Sequence, residues 1–153
     1  MEGNESRSRE YLKKAADMYE LDPTSLISLG KMYLGERQAY KAFCQFDLAL
    51  TRINNADFSE KAWMPLKAAA WDARVNAGRC AVICAEQEAA FDNEKHSNNS
   101  EQISQGMRRP FARQFLPKAI ERIQHAYNVA PQDESLVALM NRANELLLEA
   151  NSL

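Results

Sequence analysis

The chain has 153 residues, of which 46% are hydrophobic and 26% are charged, a balance typical of a globular domain with a buried core. The formal net charge of −2 argues against nucleic acid as a partner, because nucleic-acid binding usually requires a clearly basic face. The sequence has neither an apolar N-terminal run nor about eighteen consecutive apolar residues, so no signal peptide and no membrane span are expected.

Helix-forming residues dominate the first third of the chain. The whole sequence has only five glycines and five prolines, which predicts an all-α fold of about six helices. The first predicted helix covers about residues 6–20. The second starts at Pro23, where Asp22 is suited to cap it, and runs to about Leu34. The third covers about residues 38–53, with one apolar stripe at spacings of three and four residues.

The second half of the chain begins with a capping box at residues 57–60, which predicts a long helix reaching to about Phe91. Polar residues then dominate positions 92–105, a composition that predicts an exposed, mobile loop between helices. Apolar periodicity resumes after this loop, and Pro117 suits the first turn of the helix that follows. The last helix is predicted after a turn at residues 131–133.

The three cysteines lie within apolar helical segments, and their odd number is typical of free thiols in a reducing compartment. They are Cys44, Cys80 and Cys84. We therefore expect a cytoplasmic location, with the nucleus equally allowed. Cys80 and Cys84 are one helical turn apart, but no further cysteine or histidine stands near them in sequence, so small core residues are a better interpretation than a metal site. Neither a metal nor a cofactor is expected.

Two clusters of opposite charge surround the polar stretch at 92–105. The acidic cluster contains Glu86, Glu88, Asp92, Glu94 and Glu101, and the basic cluster contains Arg108, Arg109, Arg113, Lys118 and Arg122. We expect the two clusters to neutralise each other across the loop. A nucleic-acid site is the weaker interpretation, because no aromatic residues are interleaved for base stacking.

A spaced pattern of small and large residues occurs within residues 23–54. Its members are Leu29, Gly30, Tyr33, Ala42, Phe46 and Ala49. This pattern resembles the tetratricopeptide repeat (TPR), a hairpin of two antiparallel helices, although Leu26 and Asn54 replace the tryptophan and the closing proline of that family. The physical logic is that Gly30 and Ala42 allow two helices to approach closely while Phe46 fills the space around them.

A second, partial match lies in the second half of the chain. Ala119, Ile123, Ala126 and Pro131 resemble the second helix of a repeat, and the segment 76–79 around Gly78 resembles the core of a first helix. The resemblance therefore implies a single TPR-like domain, a right-handed stack of antiparallel hairpins. Its parts are a hairpin at about 23–56, an expanded repeat at about 57–131 with the mobile loop at about 92–105, and a capping helix at about 133–150.

In the family this pattern resembles, the first helices of successive repeats line a concave groove that holds a peptide or helix of a partner protein. The resemblance places these residues in the groove: Ile27, Lys31, Leu34, Val75, Asn76, Arg79, Val82 and Arg142, with Thr24, Asp72, Ser135, Ala138 and Glu145 at neighbouring groove positions. Lys31, Arg79 and Arg142 would form a basic column suited to an acidic peptide or a C-terminal carboxylate. Only Asn76 matches the carboxylate clamp with which TPR co-chaperones bind heat-shock chaperone tails, so that particular ligand is not expected.

The resulting functional hypothesis is a non-enzymatic protein-interaction module that acts as an adaptor, co-chaperone or scaffold, with no membrane contact. One alternative is a structural subunit of a homo-oligomer or larger assembly, which an exposed Trp71 would favour. Another is a small helical enzyme or ligand-binding protein, which would need an enclosed polar pocket around His125 or the cysteine pair. Catalysis is the less favoured alternative because no nucleophile–base pair stands at motif spacing.

Overall fold

The computed structural model describes residues 2–18, 23–55, 60–98 and 108–153. Within these ranges the chain is helical with short turns and no strand, which confirms the all-α class. The helices described are α1 (Glu2–Met18), α2 (Pro23–Gly35), α3 (Ala39–Asn55), α4 (Glu60–Asn98), α5 (Pro110–Val129) and α6 (Glu134–Asn151). None of the helices in these ranges is both long and apolar enough to cross a membrane.

The chain divides into two compact units, Met1–Ala77 and Gly78–Leu153. The first unit contains α1, α2, α3 and the N-terminal half of α4, and the second contains the rest of α4 with α5 and α6. Each unit therefore combines part of the long helix α4 with a pair of helices joined by a short turn, and the first unit also contains α1.

The first unit is built around the α2–α3 pair. A tight turn joins the two helices, with Arg37 in the left-handed region at φ 61° and the Gln38 amide donating to the Tyr33 carbonyl at 2.9 Å. Because a Cβ atom at Gly30 would lie 2.8 Å from ring carbons of Phe46, the glycine is what allows the two helices to pack this closely. Phe46 is completely buried. α1 packs against α2 in the same unit.

The second unit repeats this kind of contact between α4 and α5. A Cβ atom at Gly78 would lie 2.5 Å from Cγ1 of Ile123, which is itself completely buried. α6 then packs against α5. It begins at the N-cap Asp133, whose carboxylate accepts a hydrogen bond from the Ser135 amide at 3.0 Å.

The boundaries of α4 and α5 differ from the sequence-based predictions. α4 continues as a helix to Asn98, through the first seven of the residues predicted as a loop, whereas the remainder of that predicted loop, 99–105, lies outside the described residues. A polar composition marks solvent exposure and does not by itself end a helix. α5 begins at Pro110, so Pro117 lies inside the helix, not in its first turn as predicted. Pro117 is exposed, and the helix continues past it.

Candidate functional site

The predicted groove residues of α2 divide into buried and accessible side chains. Ile27 is only 6% exposed, so it belongs to the core of the chain and has almost no surface to offer a partner. Lys31 is exposed and Leu34 is half-buried. On α2, a partner would therefore meet mainly Lys31 and Leu34.

An ion-pair cluster connects Lys31 to α4 within the first unit. The Lys31 ammonium lies 2.5 Å from Oδ2 of Asp72. Asn76, which is buried, donates its side-chain amide to both the backbone carbonyl and Oδ1 of Asp72, each at 2.9 Å. Asp72 thus fixes the position of one cation of the predicted basic column and neutralises its charge.

A similar arrangement occurs in the second unit. The Arg142 guanidinium donates to Glu86 of α4 at 2.8 Å and to Glu145 of its own helix at 3.3 Å. These side chains are between 42% and 68% exposed, so solvent screens the pairs and a competing charge can reach them.

Between Ala73 and Ala85, α4 is buried around most of its circumference. Val75 and Val82, which were expected to line an open groove, are 6% and 5% exposed and lie in the core instead. Arg79 is the exposed exception, and none of the described residues forms an ion pair with it. Of the three predicted column cations, Arg79 is therefore the one whose charge no described residue neutralises with an ion pair.

The most extensive polar cluster of the described chain lies at the start of α5. Asp92 accepts hydrogen bonds from Arg108 at 2.8 Å and from Arg109 at 3.2 Å, and Arg109 also contacts Glu149 of α6 at 2.6 Å. The Arg109 side chain is 2% exposed and its backbone is in the left-handed region at φ 53°. The sequence-based expectation that the acidic and basic clusters neutralise each other is confirmed for these residues.

In this cluster, burial and the ion pairs shift the pKa values of Asp92 and Arg109 in opposite directions. Burial alone would raise the pKa of Asp92, but the hydrogen bonds and charges of Arg108 and Arg109 outweigh it and hold that pKa below its ordinary value. Burial alone would lower the pKa of Arg109, whereas Glu149 and Asp92 raise it. Both shifts favour the ionised forms, and the ion pairs connect the start of α5 to α4 and α6 as a structural anchor.

Two further contacts complete this anchor. Arg109, the N-cap residue of α5, provides no side-chain cap; the Glu88 carboxylate from α4 instead accepts the amides of Phe111 at 2.8 Å and Ala112 at 3.0 Å. Arg113 donates to the Ala150 carbonyl near the end of α6 at 2.7 Å. Sequence reasoning missed these partners because they are separated by 23 to 37 positions and form no local motif.

The residues considered for catalysis or metal binding are Cys80, Cys84 and His125. Cys80 and Cys84 are buried free thiols, and burial, with a smaller contribution from Cys84, raises the pKa of Cys80 to about 12. A thiol that stays protonated is a poor nucleophile and a poor metal ligand. No group of three or more potential ligands is found among the described residues. His125 is exposed, not enclosed, and Trp71 is half-buried.

Comparisons with models of protein families, with curated proteins and with solved structures found no match to this chain. A functional interpretation therefore depends on the helix contacts and the charged clusters described above.

Proposed function

We propose that this chain is a non-enzymatic protein-interaction module built on two TPR-like hairpins. It holds a peptide or a helix of a partner protein and acts as an adaptor, co-chaperone or scaffold subunit. The observation that carries the proposal is the same glycine contact in both units: Gly30 faces Phe46 in the first, and Gly78 faces Ile123 in the second.

The surrounding residues support the equivalence of the two contacts. Three positions of α3 have counterparts at the same spacing in α5, and all six residues are buried: Ala42, Phe46 and Ala49 correspond to Ala119, Ile123 and Ala126. The second hairpin differs because its two helices are separated by a much longer connection. In helical repeat proteins, the first helices of successive hairpins are the usual basis of an extended binding surface.

The charge pattern indicates what kind of partner segment would bind. Lys31 and Arg142 already have acidic partners on α4, whereas Arg79 has none among the described residues. A partner carboxylate would therefore gain most from Arg79 and would have to compete with Asp72 or Glu86 for the other two cations. Leu34, half-buried on α2, offers an apolar contact in the first unit.

Site-specific photo-crosslinking in a lysate of the source cells tests the proposal. A photoreactive amino acid is placed at Lys31, at Ile83, one turn from Arg79 on α4, or, as an exposed control on α5, at Lys118. We expect the first two positions to crosslink to one segment of one protein, and Lys118 to give no crosslink to that segment. Arg79→Glu should abolish capture, whereas Lys118→Glu should leave it unchanged. Equal crosslinking from all three positions, or capture that survives Arg79→Glu, would overturn the proposed surface.

A further inference from the structure

An arginine of α1 lies in a cluster of side chains at the turn between α2 and α3. The Arg9 guanidinium carbon is 5.2 Å from the centroid of the Tyr33 ring, within the range of a cation–π contact. The same guanidinium forms an ion pair with Oε1 of Glu36. An aromatic ring face together with a carboxylate matches both the planar surface and the N–H donors of a guanidinium.

The turn holds these groups in position. Gln38 donates its side-chain amide to Oε2 of Glu36 at 3.4 Å, while Arg9 pairs with Oε1 of the same carboxylate. Tyr33 is 5% exposed and its backbone carbonyl accepts the Gln38 amide, so the ring and the turn form one packed unit. Lys41 of α3 also approaches the Tyr33 ring, at 5.8 Å. The site is thus assembled by the end of α2, the turn and the start of α3, and Arg9 is the described α1 side chain that enters it.

The cluster around Arg9 contains polar atoms that make no hydrogen bond within the described chain. The Oε1 atom of Gln38 is buried without a hydrogen-bond partner among the described residues, and so is Nε of Arg9 itself. Two buried polar atoms of the cluster thus lack a hydrogen bond within the described chain, which indicates that Arg9 fills the site imperfectly.

Most of the described side chains of α1 are exposed to solvent. From residue 5 to residue 13 every side chain is exposed except Arg9 and Leu12, and Tyr11 is 73% exposed. An isolated helix of this length is marginal in water, so α1 depends on its packing against α2 to stay docked. At about 100° per residue, Tyr33 lies about 160° around α2 from Lys31 and about 100° from Leu34. α1 therefore occupies a different face from the proposed partner groove.

We propose that Tyr33, Glu36 and Gln38 form an arginine-recognition site that α1 fills through Arg9. A helix from another chain that presents an arginine in the same way replaces α1 there. The site recognises a guanidinium and discriminates against an ammonium, because a lysine has neither the planar surface nor the fork of donors. It is separate from the groove that contains Arg79.

The test uses the full chain and a dye-labelled peptide of residues 2–18 with blocked ends. Binding is measured by fluorescence anisotropy, and its location by NMR shifts of the amides of residues 33–38. The chain carrying Arg9→Ala, in which the site is empty, should bind the peptide about tenfold more tightly than the wild-type chain, in which Arg9 competes. Arg7→Ala, an exposed position on the same helix, is the matched control and should behave as the wild type.

Two comparisons separate arginine recognition from unspecific helix binding. A peptide with Arg9→Lys should bind the Arg9→Ala chain about tenfold more weakly than the natural peptide, and adding Glu36→Gln to that chain should cause a similar loss. The proposal is overturned if the folded Arg9→Ala chain binds the natural peptide and the Arg9→Lys peptide equally, or binds neither. These results do not depend on Arg79, so they can fail or succeed independently of the groove.

Discussion

Gly30 and Gly78 are the residues at which a single methyl group would have the largest effect. At Gly30 the added Cβ would lie 2.8 Å from two carbons of the completely buried Phe46 ring, and at Gly78 it would lie 2.5 Å from Ile123. The neighbours cannot move far, because both are packed in a core with few voids. Each glycine therefore sets the distance between two helices.

Gly30→Ala should destabilise the protein by about 1–2 kcal/mol, because overpacking outweighs the higher helix propensity of alanine. Urea unfolding followed by circular dichroism measures the change. Gly35→Ala is the matched control, since nothing lies within 4 Å of its added Cβ atom. Its stability should change by less than about 0.5 kcal/mol. If the two variants are equally stable, the close helix approach at Gly30 is not what limits this position.

Asp92 makes the stability of the second unit depend on pH. Its pKa is depressed in the folded chain, so the folded state binds the proton less readily than the unfolded state. The contribution of Asp92 is fully present above the unfolded pKa of about 4 and is lost as the pH falls through the folded value. Asp92→Asn should cost about 2 kcal/mol near pH 6, where the charge-assisted hydrogen bonds are complete.

The measurement is the free energy of unfolding in urea, compared between wild type and Asp92→Asn at about pH 6 and about pH 3. We expect the difference between the two proteins to shrink at the lower pH, because the unfolded wild-type chain then binds a proton at Asp92 that the folded chain binds less readily. A difference that stays constant over this range would show that ionisation of Asp92 contributes nothing to stability.

At the scale of single helices, the start of α5 is stabilised by another helix, not by its own sequence. Its N-cap residue makes no side-chain cap, and the Glu88 carboxylate of α4 accepts two of its first amides. A negative charge at this end also interacts favourably with the helix dipole. Glu88 therefore connects the position of α4 to the beginning of α5.

Glu88→Ala should lower stability by about 1 kcal/mol, the usual cost of removing a helix cap. Hydrogen exchange at the amides of Phe111 and Ala112 should accelerate in this variant, which locates the effect at the start of α5. Gln87→Ala, at the exposed neighbouring position, provides the control and should change neither quantity. Unchanged exchange in Glu88→Ala would show that another acceptor caps this helix.

At the scale of the whole molecule, acidic residues of α4 neutralise two cations of the proposed partner surface. Glu86 and Arg142 are both more than 40% exposed, so their ion pair adds little to stability but lowers the charge available to a partner. Removing the charge of Glu86 should therefore strengthen the binding of an acidic partner.

Glu86→Gln should therefore raise the affinity for the crosslinked partner about two- to fivefold at low salt, and the gain should diminish as the ionic strength rises. Titration of the purified partner segment at two salt concentrations measures this. Glu121→Gln, an exposed change on α5, controls for the altered net charge. A loss of affinity on Glu86→Gln would mean that the partner contacts Glu86 itself, with a basic group.

The helices with strong local signals could be predicted from the sequence. Pro23 at the start of α2, the asparagines that end α3 and the Asp133 cap of α6 act within a few residues, so their effects can be identified without knowing the fold. The Gly30–Phe46 contact was predictable for the same reason, because both residues belong to one hairpin with a short turn. The start of α5 was not predictable, since Asp92 and Glu88 bind groups there that are distant from them in sequence.

The accessible part of the proposed surface also required the tertiary structure. Periodicity identifies one apolar face of a helix, but α4 is buried around most of its circumference, which places Val75 and Val82 in the core and leaves Arg79 exposed. Ion pairing likewise depends on distance in space, as between Lys31 and Asp72 or Arg142 and Glu86.

Local spacing thus determined the helices and the first close helix contact, because those depend on neighbouring residues. Burial and charge neutralisation were decided by packing between distant segments, because both depend on which side chains surround a group in three dimensions.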